Sequence, residues 1–413
     1  MRNPTIHIAA CACALSLAFF TTLPNAGAWE AGATTQAAEA INSAGLKIFA
    51  EAAKEPGNLC ISPFSIQSAL MMTYQGASGE TEAQMGKALD LGEPGAMADS
   101  YGQLISTMGV AGENSKKFTF SVANRLFGSK TFTFRPEFLA TCKNQFGAPL
   151  EATDFEADPD AATLKINTWV EDQTAGKISD LIPSGAIDRT TALVLVNALY
   201  LKAQWAEEFQ PAGTMDFRAD GETQAKVEAI RQTGPMVYKK TDGFTTVACA
   251  LEKNMMVAFF LPDKATEPMP PMRKDLLESL TMAKMAVASV NLTLPKFRIE
   301  SPSISLKDIL TELGMPSAFD NPIGSADFDA MAPKLPDQYL YISDVFHKTF
   351  FDLNEAGIEA AAATAVVMAL AGAAMDPEEP VQVTLDRPFY FAVWSSETNA
   401  LLFLGRVTNP GGD

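Results

Sequence analysis

Histidine is the side chain that most often moves protons near neutral pH, and the 413 residues hold two, His7 and His347. His7 falls in an apolar N-terminal stretch that reads as a removable leader, which leaves His347 alone in a mature chain. His347 lies in Asp344-Val345-Phe346-His347-Lys348, in the middle of a run that reads as a strand by its aromatic and β-branched residues. A Ser-His-Asp triad would need it in an open cleft beside a nucleophile, so it reads as a structural group. No GxSxG elbow, GxGxxG loop or HExxH helix occurs. Gly79 to Lys87 has the look of a phosphate loop, but Thr81 stands where its first glycine is required and Ala88 replaces its Ser or Thr. Asp154, Glu156, Asp158 and Asp160 cluster, without the glycine turn and closing glutamate of a calcium loop, and read as a solvated connection. The chain is therefore expected to be no enzyme and to carry no metal or cofactor.

Composition narrows the setting. The sequence is 47% hydrophobic and 19% charged, ample for a large core, with a net charge of −18. Arg2, the apolar run Ile6 to Phe20 and the small residues Ala26-Gly27-Ala28 make residues 1–28 a secretory signal peptide. Its removal takes away Arg2 and leaves 30 basic against 49 acidic residues, a net −19. An acidic surface argues against nucleic acid, polyanions and anionic membranes as partners. No later run is long and apolar enough to span a bilayer. The expected product is exported, extracellular or periplasmic, and monomeric. Cys60, Cys142 and Cys249 remain, an odd, widely spaced set that reads as buried thiols, or as one disulfide and a thiol.

The elements that could position chemistry converge on Glu355 to Pro380, EAGIEAAAATAVVMALAGAAMDPEEP. Ala360 to Met375 carries no charge. Alanine favours helix, yet the flanks argue for sheet. Tyr339 to Leu353 is rich in aromatic and β-branched residues, and Leu385 to Leu404 reads as two strands joined at Ser395 to Asn399. Taken with period two, one face of the segment carries Ile358, Ala360, Ala362, Thr364, Val366 and Met368. Nothing in it is too large or too charged to enter a sheet. Upstream, Thr34 to Lys54, Thr81 to Leu91, Ile166 to Thr174 and Ser305 to Gly314 have helical spacing, and Ser62-Pro63 opens another helix. Phe118 to Phe127, Val247 to Leu261 and Val290 to Ile299 read as strands. Thr191 to Tyr200 reads as a strand buried on both faces, with Asn197 in need of a hydrogen-bond partner.

The run Asn354-Glu355-Ala356-Gly357-Ile358-Glu359-Ala360-Ala361-Ala362-Ala363-Thr364 resembles the hinge of the serpins, the serine-protease inhibitors that trap their target. Asp386 to Phe391 and Phe403 to Pro410 resemble the C-terminal signature of that family, and Ser62 to Ile66 with Gly76 to Thr81 resembles its segment beneath the central sheet. The resemblance spans Thr34 to Pro410. It implies an α+β serpin fold over residues 29–413. That means a large, mostly antiparallel central sheet, two further sheets, eight or nine helices and an exposed reactive loop over about 357–380.

The resemblance also implies a mechanism. A protease cuts the loop, forms an acyl-enzyme, and is trapped as the freed Ile358 side inserts into the sheet. Family spacing from Glu355 places the reactive bond at Ala371-Gly372, with Leu370, Ala374 and Met375 as alternatives. These residues suit a small or apolar specificity pocket, elastase- or subtilisin-like; with no Lys or Arg between Lys348 and Arg387, a trypsin-like target is disfavoured. His347, Asn197 and Ser65 match a latch where the sheet parts. Lys296 matches the lysine that pairs Glu355, and Trp205 the tryptophan that covers that corner. Met97 to Val110, where some serpins bind a polyanion activator, holds no Lys or Arg. A non-inhibitory carrier or chaperone is the rival expectation.

Overall fold

The protein is described by a computed structural model over residues 36–108, 115–219, 223–265, 269–278, 286–335, 338–359 and 379–411. The leader and most of the Ala-rich segment therefore lie outside the described residues. The chain opens with α1 (Gln36–Ala52), whose Ile41, Ala44, Ile48 and Phe49 are buried at helical spacing. Strand β1 (Leu59–Ile61) leads into α2 (Pro63–Tyr74). Ser62 caps this helix by accepting the Ser65 N–H, and Pro63 occupies its first turn, where no N–H is missed. Next come α3 (Gly79–Ala88), α4 (Pro94–Met108), β2 (Phe118–Ser129), α5 (Pro136–Phe146) and β3 (Leu150–Thr153). Helix α6 (Pro159–Gln173) precedes β4 (Leu193–Gln204).

The middle of the chain is mostly strand: β5 (Gln210–Ala219), β6 (Thr223–Thr241), β7 (Phe244–Ala250) and β8 (Met255–Pro262), then α7 (Lys274–Glu278) and β9 (Ala286–Pro295). The remainder runs β10 (Phe297–Glu300), β11 (Ile304–Ser305), α8 (Lys307–Glu312), β12 (Phe346–His347), β13 (Phe350–Asn354), β14 (Gly357–Ile358), β15 (Val381–Thr384), β16 (Phe389–Ser395) and β17 (Leu401–Val407). Eight α-helices and three sheets occur among the described residues. The nine-stranded sheet has the order β1-β17-β16-β8-β7-β6-β9-β15, with β5 on β6; a two-stranded sheet pairs β11 with β12. The sheet that receives the hinge has six strands, β10-β13-β14-β4-β2-β3, antiparallel except for β2 with β3.

The inner face of that sheet belongs to the main core, through Phe120, Leu201, Ala203, Phe297, Phe351, Leu353 and Ile358. Its outer face carries α6. Phe127, Val196 and Phe350 of the sheet bury with Ile166 and Val170 of the helix. Arg125 and Glu151 pair at 2.7 Å, Lys165 of α6 joins Glu151, and Arg125 lies 4.7 Å over the Trp169 ring.

Several expectations change. Helix α6 begins at Pro159, ahead of Ile166, because Asp158 caps it by accepting the Ala161 N–H; the acidic cluster is in part a capping turn. Val247 to Leu261 is a hairpin, turned at Lys253 and Asn254 with φ 60° and 57°. Tyr339 to Val345 forms no strand. The Thr191 to Tyr200 run is only half-buried from Thr191 to Leu195. The ladders explain this: β4 pairs with β2 from Leu193 to Ala203, but among the described residues its other edge pairs only at Ala203 and Gln204.

Candidate functional site: the hinge between two central strands

At the top of the six-stranded sheet the chain leaves β13, turns, and comes back as β14 between β13 and β4. Leu353 and Ala203 flank Ile358; Asn354 and Gln204 flank Gly357. The turn is held from several sides. Asn354 Oδ1 accepts the Ala356 N–H at 2.9 Å, and the Trp205 ring N–H donates to the Asn354 carbonyl at 2.9 Å. The backbone N–H groups of Trp205 and Phe209 donate to the carbonyls of Ala356 and Glu355. Trp205 is buried and lies against Phe209, ring centroids 4.9 Å apart.

Three charges close the corner. Lys296 Nζ stands 3.1 Å from Glu355 and also contacts Glu228. These two carboxylates, Glu228 first, raise the lysine pKa. Gly357 has φ +138°, and a Cβ there would come 2.1 Å from the Ala203 carbonyl oxygen. Only glycine fits so close to a neighbouring backbone.

The hinge thus begins inside the sheet, which corrects an exposed loop starting at Gly357. Ile358 is 1% exposed because its branched apolar side chain fits the core beneath the sheet. Glu359 follows at φ +50°, and its N–H donates to the Asp352 carbonyl at 2.8 Å. Its side chain is buried, with Oε2 3.8 Å from the Lys177 ammonium and without a hydrogen-bond partner among the described residues, and the Tyr200 hydroxyl is a close neighbour. Burial pushes the Glu359 pKa up to about 7 against the pull of Lys177. Lys177 also lies 4.6 Å over the Phe350 ring. Sequence reasoning missed Lys177, Tyr200 and Asp352 as neighbours of the hinge. They sit far from it along the chain, and no local pattern connects them.

The latch residues are described only in part. His347, on β12, is buried, and its Nε2 accepts the Ser62 N–H at 3.0 Å. Burial drives its pKa down to about 3, so the ring is neutral and a good acceptor. Ser65 is buried and donates its N–H to Ser62 Oγ. Asn197 lies on β4 opposite Asn124, and its side chain is outside the described residues. So are Ala360, Ala361, Ala362, Ala363, Thr364, Leu370, Ala371, Gly372, Ala374 and Met375. Cys60, Cys142 and Cys249 are free and buried, their thiols pushed up to about 12 by burial. Among the described residues no three His, Cys, Asp or Glu gather as a metal site, and no helix is long and apolar enough to cross a membrane.

The family model described as serpin (serine protease inhibitor) matches residues 39–410. The chain belongs to the serpin family. It is 36% identical over 368 residues to the leukocyte elastase inhibitor of Sus scrofa, covering 86% of this serpin and 93% of that relative. It is 35% identical over 363 residues to serpin B8 of Homo sapiens, with the same coverage. Among solved structures it is similar to tengpin, a thermophilic serpin in its native state, with TM-score 0.77, 26% identity and coverage of 90% and 94% of the two chains. It is likewise similar to cleaved serpin 42Da, with TM-score 0.77, 25% identity and coverage of 91% and 98%. The thyroxine-binding globulin complex with thyroxine gives TM-score 0.75 at 26% identity, covering 92% and 99%.

Proposed function

We propose that this serpin is a suicide-substrate inhibitor of serine proteases with small or apolar specificity pockets, elastase-, subtilisin- or chymotrypsin-like. The observation that carries the reading is the register of β14. Extending its pairing with β4 along the chain sets Glu359 opposite Lys202 and Met368 opposite Leu193. Ten loop residues thus match the ten β4 residues, Leu193 to Lys202, that have no ladder partner on this side among the described residues. In that register Ala360, Ala362, Thr364, Val366 and Met368 follow Ile358 toward the core, while Ala361, Ala363 and Ala365 pass beneath α6. Small side chains are what a strand needs to slide under a packed helix. The reactive bond Ala371-Gly372, or its alternatives at Leu370, Ala374 and Met375, then stays beyond the end of β4, open to a protease.

The protease acylates at that bond, and insertion carries it away before water completes the cycle. Ten new ladder positions at about 1 kcal/mol net each would favour the inserted state strongly. The names of relatives such as leukocyte elastase inhibitor support a protease of this class. We also assign residues 1–28 as an export signal and residues 29–413 as one domain, acting outside the cell as a monomer without a polyanion activator.

A carrier role is favoured by one observation. A cleft of about 890 Å³ opens between α1, α7 and the β16–β17 hairpin. Trp394 lines it, and its buried ring N–H has no partner. Mixing the protein with pancreatic elastase and with subtilisin separates the readings. An adduct stable in SDS, with a released peptide starting at Gly372, is the inhibitor's result. Clean cleavage with no adduct and no gain in heat resistance is the carrier's.

A further inference from the structure

We propose that Glu359 is a positioning residue for insertion: held by Lys177 and Tyr200 in the row that a later loop residue must occupy, it stops the hinge after two residues. The inference rests on the inhibitory reading and names a regulator of the same hinge. The pairs Ile358 with Leu353 and Ile358 with Ala203 fix where a continuing strand would lie. Glu359 would sit between Asp352 and Lys202, and Ala361 between Phe350 and Tyr200.

The observed Glu359 does otherwise. At φ +50° the backbone turns out of the strand, and the side chain reaches the Tyr200 hydroxyl and the Lys177 ammonium. That ammonium is itself stacked on Phe350. The carboxyl therefore stands in the Ala361 row, beneath the chain that follows α6. For the loop to advance, Glu359 must become extended and give up both partners. Its own row then offers Lys202 on one side and Asp352 on the other, with Arg298 beyond Asp352. The groups facing it from every neighbouring element are Lys177, Tyr200, Asp352, Arg298 and Lys202.

Protonation then tunes the stop. The held carboxyl titrates at about 7 and a released one at about 4.5. A buried acid with a raised pKa is favoured in its held position as pH falls. The ratio of held to released hinge is about thirty-fold higher at pH 5.5 than at pH 8.5.

The test incubates the full chain at pH 5.5 or 8.5 without protease, at a temperature where the uncut loop slowly inserts. Samples return to pH 7.5, and remaining capture of pancreatic elastase is read as SDS-stable adduct. Wild type should lose capture about thirty-fold more slowly at pH 5.5. Glu359→Gln, a mimic of the protonated acid, should be slow at both pH values, and Glu359→Ala fast at both. Lys177→Ala should be fast at pH 8.5 and near wild type at pH 5.5, with Lys177→Arg restoring the wild-type profile. A pH profile unchanged in Glu359→Gln and Glu359→Ala overturns the proposal. If wild type forms no adduct, the inhibitory reading fails instead, and the stop is read by amide exchange of Gly357 to Glu359. Lost protection in Glu359→Ala and Lys177→Ala supports it; unchanged protection in both overturns it.

Discussion

Gly357→Ala tests how little free energy holds the hinge in place. The inserted dipeptide gains the burial of Ile358, about 1.5–3 kcal/mol, and a few ladder hydrogen bonds at about 1 kcal/mol net each. Against this stands the ordering of two or three residues, at about 1–2 kcal/mol each. The balance favours insertion by only a few kcal/mol. An alanine at φ +138° is strained by about 1–3 kcal/mol. Its Cβ would also lie 2.1 Å from the Ala203 carbonyl oxygen and 2.7 Å from the Gln204 Cα. Both are backbone atoms of a paired strand and cannot swing aside. The cost matches or exceeds the gain, so the hinge should leave the sheet. Amide exchange reads this directly: protection of Ile358 and Glu359 should fall to that of a free loop, while β16 and β17 keep theirs. Because Gly357 keeps its place when the loop inserts fully, the same strain opposes trapping. A rise of about 1–3 kcal/mol in the insertion barrier slows that step roughly five- to 150-fold. The variant should therefore be cut as a substrate, with cleaved inhibitor displacing adduct on a gel. Unchanged protection at Ile358 together with unchanged adduct yield would refute the reasoning.

Other perturbations read other parts of the fold. His347→Gln should remove an acid sensitivity: a buried neutral imidazole with pKa about 3, against 6.5 unfolded, weakens the fold as pH drops below 6.5, by about 2 kcal/mol at pH 5. Urea midpoints at pH 8 and pH 5 should differ less in the variant than in wild type. Lys296→Ala removes a half-exposed network with Glu355 and Glu228, so global stability should change by about 1 kcal/mol or less; amide exchange at Glu355 to Gly357 should accelerate all the same. Ala362→Arg would send a long cation toward the core in the inserted register. It should abolish the elastase adduct while leaving the melting temperature of the uncut protein unchanged. Nicking wild type at Ala371 should raise that melting temperature sharply, as differential scanning calorimetry would record.

Much of the site was legible because its constraints are local. Ile358 and the small residues after it announce themselves by type and spacing, and the resemblance to the serpin hinge marks Glu355 and Gly357. The helix at Ser62-Pro63 does so by its cap. What stayed hidden depends on partners distant in sequence. Lys177 and Tyr200 reach Glu359 only once α6 and β4 are laid against β13. The aromatic and β-branched residues from Tyr339 to Val345 promised a strand that pairs with no neighbour among the described residues. Asp154 to Asp160 gave an acidic pattern whose use as a helix cap shows only in the turn at Asp158. The Lys253 and Asn254 turn was invisible for a related reason: the apolar flanks of β7 and β8 read as one run, and the left-handed backbone between them carries no glycine.

Two scales of free energy meet at β4. The open edge from Leu193 to Lys202 represents ten ladder positions, on the order of 10 kcal/mol if filled at about 1 kcal/mol each. Glu359 and its partners hold the hinge by an interaction that changes about thirty-fold between pH 5.5 and pH 8.5, roughly 2 kcal/mol. A restraint of that size cannot reverse the larger gradient; it can only set how fast the chain runs down it. That division suits a trap. If the stop were as strong as the drive, cleavage would release nothing, and if it were absent, the uncut loop would run into the sheet and leave no bait. The residue that stops the loop should therefore control the rate of insertion while adding little to global stability. Removing Glu359 should shorten the working life of the inhibitor severalfold or more while leaving its equilibrium urea midpoint almost where it was.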